Sequence, residues 1–155
     1  MTEEVLLAYA AGLLDGEGSL VIGCGLKADR PSPSYWLQVD TTNTDRALID
    51  RLHEHFGGHI SDHSHAPSRR RQRPCWAWRV ISRDAPAFLR RIQPFVRVKA
   101  GQIVIALEFQ NHMSTSRKSP YRVSADELAI REQYRGQLRA LTTGATKKLG
   151  GGWSG

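Results

Sequence analysis

The stretch that most constrains this chain is residues 5–18, from Val5-Leu6-Leu7 to Asp15-Gly16-Glu17-Gly18. From Val5 to Leu14 every residue except Gly12 is apolar, which predicts a helix. Ala8, Ala11, Gly12 and Asp15 recur at i, i+3 and i+4, so one stripe of that helix carries almost no side chain. A bare stripe admits another helix backbone at close range. The following Asp-Gly-Glu-Gly is expected to break the helix, because each glycine tolerates positive φ in a C-cap or tight turn. Asp15 and Glu17 then lie where the last helical carbonyls are unpaired and carry partial negative charge. Such a pair calls for a cation, and a divalent metal held by carboxylate and backbone carbonyl oxygens would supply one. An isolated Asp-Gly-Glu-Gly also has a plainer reading, a polar turn after a core helix.

At 155 residues the chain is long enough for one domain with a core of its own. Lys and Arg outnumber Asp and Glu by 22 to 15, and the resulting charge of +7 favours a polyanionic partner. Nucleic acid fits better than membrane, since the apolar run at 5–14 is too short to span a bilayer. Cys24 and Cys75 form no spacing pattern, and no leader-like segment opens the chain. Reduced thiols in an intracellular setting are the expectation, whether organelle, nucleus or prokaryotic cytoplasm.

Beyond Gly18 the pattern turns to strands. Residues 19–27 read as a strand with Leu20, Ile22, Cys24 and Leu26 on one face and small residues, Ser19, Val21, Gly23 and Gly25, with Lys27 on the other. That second face is open to close approach by a ligand. A proline-containing loop leads to a second strand, 35–41, with Leu37 and Val39 inward and Trp36 and Gln38 outward. Asn43 or Thr44 is expected to cap a helix with Ala47, Leu48, Leu52 and Phe56 as its stripe, ended by Gly57-Gly58. A second hairpin spans about 59–64 and 75–82, with Trp76 and Trp78 assigned to the core. Its connection carries Arg69, Arg70, Arg71 and Arg73, whose mutual repulsion a phosphate backbone would relieve; a solvated loop is the alternative. Asp84 is expected to cap a helix at 85–92, and Pro94 ends or kinks it. A helix follows at 99–113, and Ser124 with Glu127 forms a capping box for a last helix to about 141. Residues 1–141 are thus expected to form the domain, and the glycine-rich 142–155 a flexible tail.

The segment Ala10-Ala11-Gly12-Leu13-Leu14-Asp15-Gly16-Glu17-Gly18 resembles the LAGLIDADG motif of homing endonucleases, with Glu17 in the second acidic position. Two further stretches are similar to that family: Val39 to Leu52, and Phe88-Leu89-Arg90-Arg91-Ile92-Gln93-Pro94-Phe95 followed by Lys99. The resemblance runs from about Val5 to Gln110. It implies an α+β, αββαββα fold with a four-stranded antiparallel, saddle-shaped sheet and helices on one face. It implies a Mg²⁺-dependent endodeoxyribonuclease, with Glu17 and the carbonyl of Gly16 holding the metal and Lys99 near the scissile phosphate. Relatives often carry a water-ordering glutamine where this chain has Thr41 and a basic residue where it has Asp45, beside which stands Arg46. Thr41 and Arg46 are therefore the candidates for the outer catalytic shell. The outward sheet face, with Ser19, Val21, Gly23, Lys27, Ser32, Ser34, Trp36, Gln38, Ser61, His63 and Arg79, would lie along the major groove of double-stranded DNA. One motif supplies one acidic centre, so cutting both strands implies a homodimer joined through Ala8, Ala11, Gly12 and Asp15 on a roughly palindromic target.

Three other classes compete with that reading. One is a LAGLIDADG-derived DNA- or RNA-binding protein, such as an intron splicing cofactor or regulator, without efficient cleavage. Another is a zinc protein using His53, His55, His59, His63, His65 and Cys75, although their spacing matches no zinc motif and His53 and His55 fall on different faces of the predicted helix. The third is a structural protein with a basic surface.

Overall fold

The computed structural model describes residues 1–64, 73–116 and 122–143. In chain order its elements are α1 (Glu3–Glu17), β1 (Ser19–Gly25), β2 (Ser34–Asn43), α2 (Arg46–Phe56), β3 (His59–Asp62), β4 (Trp76–Ile81), α3 (Asp84–Ile92), α4 (Ala100–Thr115) and α5 (Ala125–Thr142). A 3₁₀ turn, Gln93–Phe95, links α3 to α4. The strands form one antiparallel sheet in the order β1-β2-β4-β3, so the αββαββα arrangement is present with two further helices after it.

Strand parity decides what the sheet buries. Leu20, Ile22, Leu37, Val39, Trp78 and Val80 are buried on one face. They meet Leu6, Ala10, Ala11 and Leu14 of α1, Ile49, Leu52 and Phe56 of α2, Phe88, Leu89 and Ile92 of α3, and Ile103, Ala106 and Phe109 of α4. Trp78 anchors this layer: its indole N–H donates to the Gly57 carbonyl at 2.8 Å, and Phe88 meets it edge-on at 5.1 Å. Phe88 also meets Phe56 edge-on at 4.9 Å, a geometry favoured by the ring quadrupoles. Among the described residues no helix is long and apolar enough to cross a membrane.

Several boundaries differ from the sequence expectation. α1 does not break at Asp15 but continues through Glu17, and Gly18 leaves it in an extended conformation (φ −77°, ψ 155°). The helix tolerates Gly16 because its end is held from outside, as described below. Gly18 is small for lack of room, since a Cβ there would strike Leu14. The core parity of β1 holds at Leu20 and Ile22 but fails at Cys24 and Leu26, which lie at and beyond the strand end and are exposed. Asp45, not Asn43 or Thr44, caps α2 by accepting from the N–H groups of Ala47 and Leu48, and Ile49 replaces Ala47 on its inner stripe. Asp84 is the first residue of α3 and not its cap. Gly57 and Gly58 end α2 as expected, at φ 70° and 88°, where a side chain would be strained. Ser124 caps α5 by accepting from the Glu127 N–H. The reciprocal half of the box is replaced, because the Glu127 carboxylate accepts from Arg131, Ser116 and His112 and so ties α5 to α4.

Candidate nucleic-acid interface and carboxylate site

The end of α1 is built by its contacts with the segment before α4. Asp15 accepts from the backbone N–H of Arg97 at 2.8 Å and of Lys99 at 2.9 Å. The Lys99 ammonium donates to the carbonyls of Leu14 at 2.7 Å and Asp15 at 2.9 Å. Partial burial pushes the Asp15 carboxyl up, but the N–H groups of Arg97, Lys99 and Val98 and the Lys99 charge together hold it below its ordinary value. Burial lowers the Lys99 ammonium, and Asp15 counters it in part. The cation that the helix terminus calls for is thus supplied within the chain by Lys99. Two residues beyond Asp15, Glu17 is exposed, and among the described residues its carboxylate accepts only a long bond of 3.4 Å from the Asn43 side-chain amide. The Asp45 N–H fixes that amide by donating to its oxygen at 2.8 Å. Glu17, Thr42, Asn43, Thr44 and Cys75 together line an open cleft.

Two candidates for the outer shell are not at this cleft. Thr41 shares parity with Leu37 and Val39, is buried, and leaves its hydroxyl without a partner in the core. Strand alternation turns it away from the face that would meet DNA. Arg46 pairs with Asp50 at 2.8 Å, and its guanidinium lies 5.9 Å from the centre of the Trp76 ring.

The bare stripe of α1 is rotated from its expected position. Ala8 and Gly12 are exposed, with Val5, Tyr9 and Gly16 beside them. Ala11, in contrast, is fully buried against the core, and the Asp15 carboxylate is engaged by the 97–99 segment. A Cβ added at Gly12 or at Gly16 would meet nothing within 4 Å. The open stripe is therefore Val5, Ala8, Tyr9, Gly12 and Gly16, small toward its C-terminal end, beside Glu17.

The sheet face opposite the helices carries most of the predicted interface. Register places Ser19, Val21, Gly23 and Gly25 of β1 opposite Asp40, Gln38, Trp36 and Ser34 of β2. Ile81, Arg79 and Ala77 of β4 lie opposite Gln38, Asp40 and Thr42, and His59 and Ser61 of β3 lie opposite Arg79 and Ala77. His63 continues this edge, with its ring 3.1 Å from the Ser61 hydroxyl. Lys27 is exposed just beyond β1, in a depression that also holds Arg30, Trp36 and Arg83. Two assignments change. Gly23 is not open to a ligand, because the Trp36 indole covers it closely enough that a Cβ would collide. Ser32 is buried, and its hydroxyl accepts from the Val123 N–H at 3.0 Å, which fastens the hairpin loop to the segment before α5. Arg73 is exposed; Arg69, Arg70 and Arg71 lie outside the described residues.

Along this face runs a chain of side-chain bonds without a motif in the sequence. The Trp36 indole N–H donates to the Gln38 oxygen at 3.1 Å, the Gln38 amide donates to Asp40 at 2.6 Å, and Arg79 donates to the other Asp40 oxygen. Their i, i+2 spacing was visible in the sequence, but the Arg79 partner required the β2–β4 register. The sequence casts Asn43 as a candidate helix cap, and its approach to Glu17 has no local sequence signal. Among the described residues no three His, Cys, Asp or Glu side chains come together in a metal-binding group. His53 and His55 are exposed on α2, and His65 lies outside the described residues.

By sequence the chain matches no family model and no curated protein. Solved structures do match. A complex of the homing endonuclease I-CvuI with the I-CreI target, in 2 mM Mg with the DNA not cleaved, superposes with a TM-score of 0.73 at 12% identity, covering 89% of this chain and 82% of that one. An archaeal intron-encoded homing endonuclease, I-Vdi141I, complexed with DNA, gives 0.71 at 18% identity, with 90% and 86% covered. The LAGLIDADG homing endonuclease I-GzeII in complex with its DNA target gives 0.64 at 16% identity, and 83% of this chain spans only 43% of that one. The fold of this chain is the LAGLIDADG homing endonuclease fold.

Proposed function

We propose that this protein is a homing-type, site-specific endodeoxyribonuclease. It cuts both strands of a long, roughly palindromic duplex as a homodimer and requires a divalent metal. The observation that carries the reading is the position of Glu17: an exposed carboxylate, almost free of partners, at the end of a helix whose open stripe has room for a second backbone. The structural relatives are DNA complexes, several of them in the presence of Mg or Ca.

A hard cation fits the donor set at this point, since Glu17 offers a carboxylate among the neutral oxygen and nitrogen groups of Thr42, Asn43 and Thr44. Glu17 with the Gly16 carbonyl would hold Mg²⁺, which when bound polarises a phosphodiester and lowers the pKa of water. The chain's own residues do the placing. Lys99 and Asp15 fix the end of α1, and Asn43 orients the Glu17 carboxylate. The open sheet face presents hydrogen-bonding side chains to the major groove, and basic residues at its margins contact phosphates. Each chain brings one such carboxylate, so two copies joined along the α1 stripe would set one Glu17 against each scissile phosphate.

One observation favours a second reading, a LAGLIDADG-type DNA binder that cleaves poorly. Thr41 occupies the expected water-ordering position and is buried in the core. Selection of bound sites from a random duplex library in Ca²⁺, followed by incubation in Mg²⁺, separates the two. The endonuclease reading expects Mg²⁺-dependent double-strand breaks with the wild type and none with Glu17→Gln, while both proteins bind alike. Binding without cuts by the wild type would leave the second reading standing.

A further inference from the structure

Gln38 lies at the centre of the open face, between Val21 of β1 and Ile81 of β4. Its carboxamide is held from both sides. The Trp36 indole can only donate, so the group facing it must be the Gln38 oxygen; the Asp40 carboxylate can only accept, so the group facing it must be the Gln38 nitrogen. The orientation therefore follows from the chemistry of the neighbours. Both neighbours are themselves fixed. The Trp36 ring rests on Gly23 and Gly25, where no side chain intervenes, and the second Asp40 oxygen is taken by Arg79.

Counting donors and acceptors shows what remains. Gln38 keeps one N–H and one lone pair on its oxygen for a further partner, and its side chain is only partly buried on the open face. Asp40 already accepts from Gln38 and is neutralised by Arg79, which weakens it as an acceptor for a cytosine amino group. One donor beside one acceptor matches the N7 and N6 edge of adenine. The half-exposed Ile81 and the partly exposed Val21 flank that edge with apolar surface suited to the thymine methyl of the same pair.

We infer that Gln38 reads adenine of an A·T pair in the major groove, and that Trp36 and Asp40 are positioning residues that lock its amide in one orientation before DNA arrives. This rests on the DNA-binding reading above. The lock means that the adenine preference is built into the free protein and does not require rearrangement on binding.

The test is selection from a random duplex DNA library, with total DNA affinity measured in parallel. Wild-type protein is expected to enrich adenine at one position per half-site. Gln38→Ala is expected to lose that preference by about tenfold, within the range for one bidentate side-chain–base pair, with other positions unchanged. Trp36→Phe keeps an aromatic ring on β2 but removes the N–H, and is expected to relax the same position more than any other. Asp40→Ala should relax it too, while the freed Arg79 raises affinity for all sequences alike, and thermal melting confirms that each variant is folded. In the DNA-free protein, the two Gln38 side-chain amide protons are expected to resonate away from free-amide values, and Trp36→Phe is expected to shift them back toward those values. Sequence preference that is identical in the wild type, Gln38→Ala and Trp36→Phe would overturn the assignment while leaving the DNA-binding reading intact. A wild type that binds no duplex DNA would overturn both.

Discussion

Thr41 shows how a single residue can separate resemblance from role. Its position in the sequence matches a water-ordering site, yet its strand parity places the hydroxyl in an apolar layer without a partner. An unsatisfied buried hydroxyl costs about 1–3 kcal/mol, so Thr41→Val, which keeps the shape, is expected to raise stability to urea by about 1 kcal/mol. Cleavage by that variant is expected to be unchanged; loss of cutting with intact folding would return Thr41 to the catalytic shell. Asp15 carries the opposite kind of contribution. Its carboxyl is held below its ordinary value of 3.8, so its stabilisation is complete above that pH and is lost as pH falls through the folded value. Asp15→Asn is therefore expected to be less stable than the wild type at neutral pH, with the difference shrinking below about pH 4. Urea midpoints at several pH values check this, and a constant gap down to strongly acid pH would contradict it.

At the scale of elements, apolar periodicity and glycine positions read well from sequence because both are local. The two hairpins, the inward parity of Leu37, Val39, Trp78 and Val80, and the Gly57-Gly58 stop are all where the pattern puts them. What failed was non-local. The end of α1 reads as a break because the two glycines of its Asp-Gly-Glu-Gly tolerate positive φ; the structure extends it because Lys99, more than eighty residues away, donates to its carbonyls. The same remoteness hides the rotation of the open stripe, since Ala11 and Gly12 are equally small and only packing tells which faces inward. This rotation sharpens a test of assembly. Gly12 is exposed with space beyond it, so Gly12→Leu is expected to fold as a single chain and even gain about 1 kcal/mol of helix propensity. It is nevertheless expected to sediment as a monomer and to make no double-strand cuts; a cleaving dimer would place the interface elsewhere. For the core, Phe88→Ala removes the ring between Phe56 and Trp78 and is expected to cost about 3–5 kcal/mol in denaturant unfolding.

At the scale of the whole molecule, charge and fold point to the same partner. An excess of seven positive charges accompanies a sheet whose outer face carries hydrogen-bonding side chains and whose margin carries Lys27, Arg30 and Arg83. Arg69, Arg70, Arg71 and Arg73 are expected to act on phosphates, so replacing all four with alanine is expected to flatten the dependence of affinity on salt by about one unit of slope per lost contact. An unchanged slope would make that run a solvated turn.

If each chain contributes one Glu17 to one strand, as proposed, a mixed dimer of wild type and Glu17→Gln should cut only one of the two. With plasmid carrying the selected target in Mg²⁺, the expected products are linear DNA from the wild-type dimer, nicked circles from the mixed dimer and intact plasmid from the Glu17→Gln dimer. Linear product from the mixed dimer at the wild-type rate, or any cutting by the doubly substituted dimer at that rate, would contradict that division.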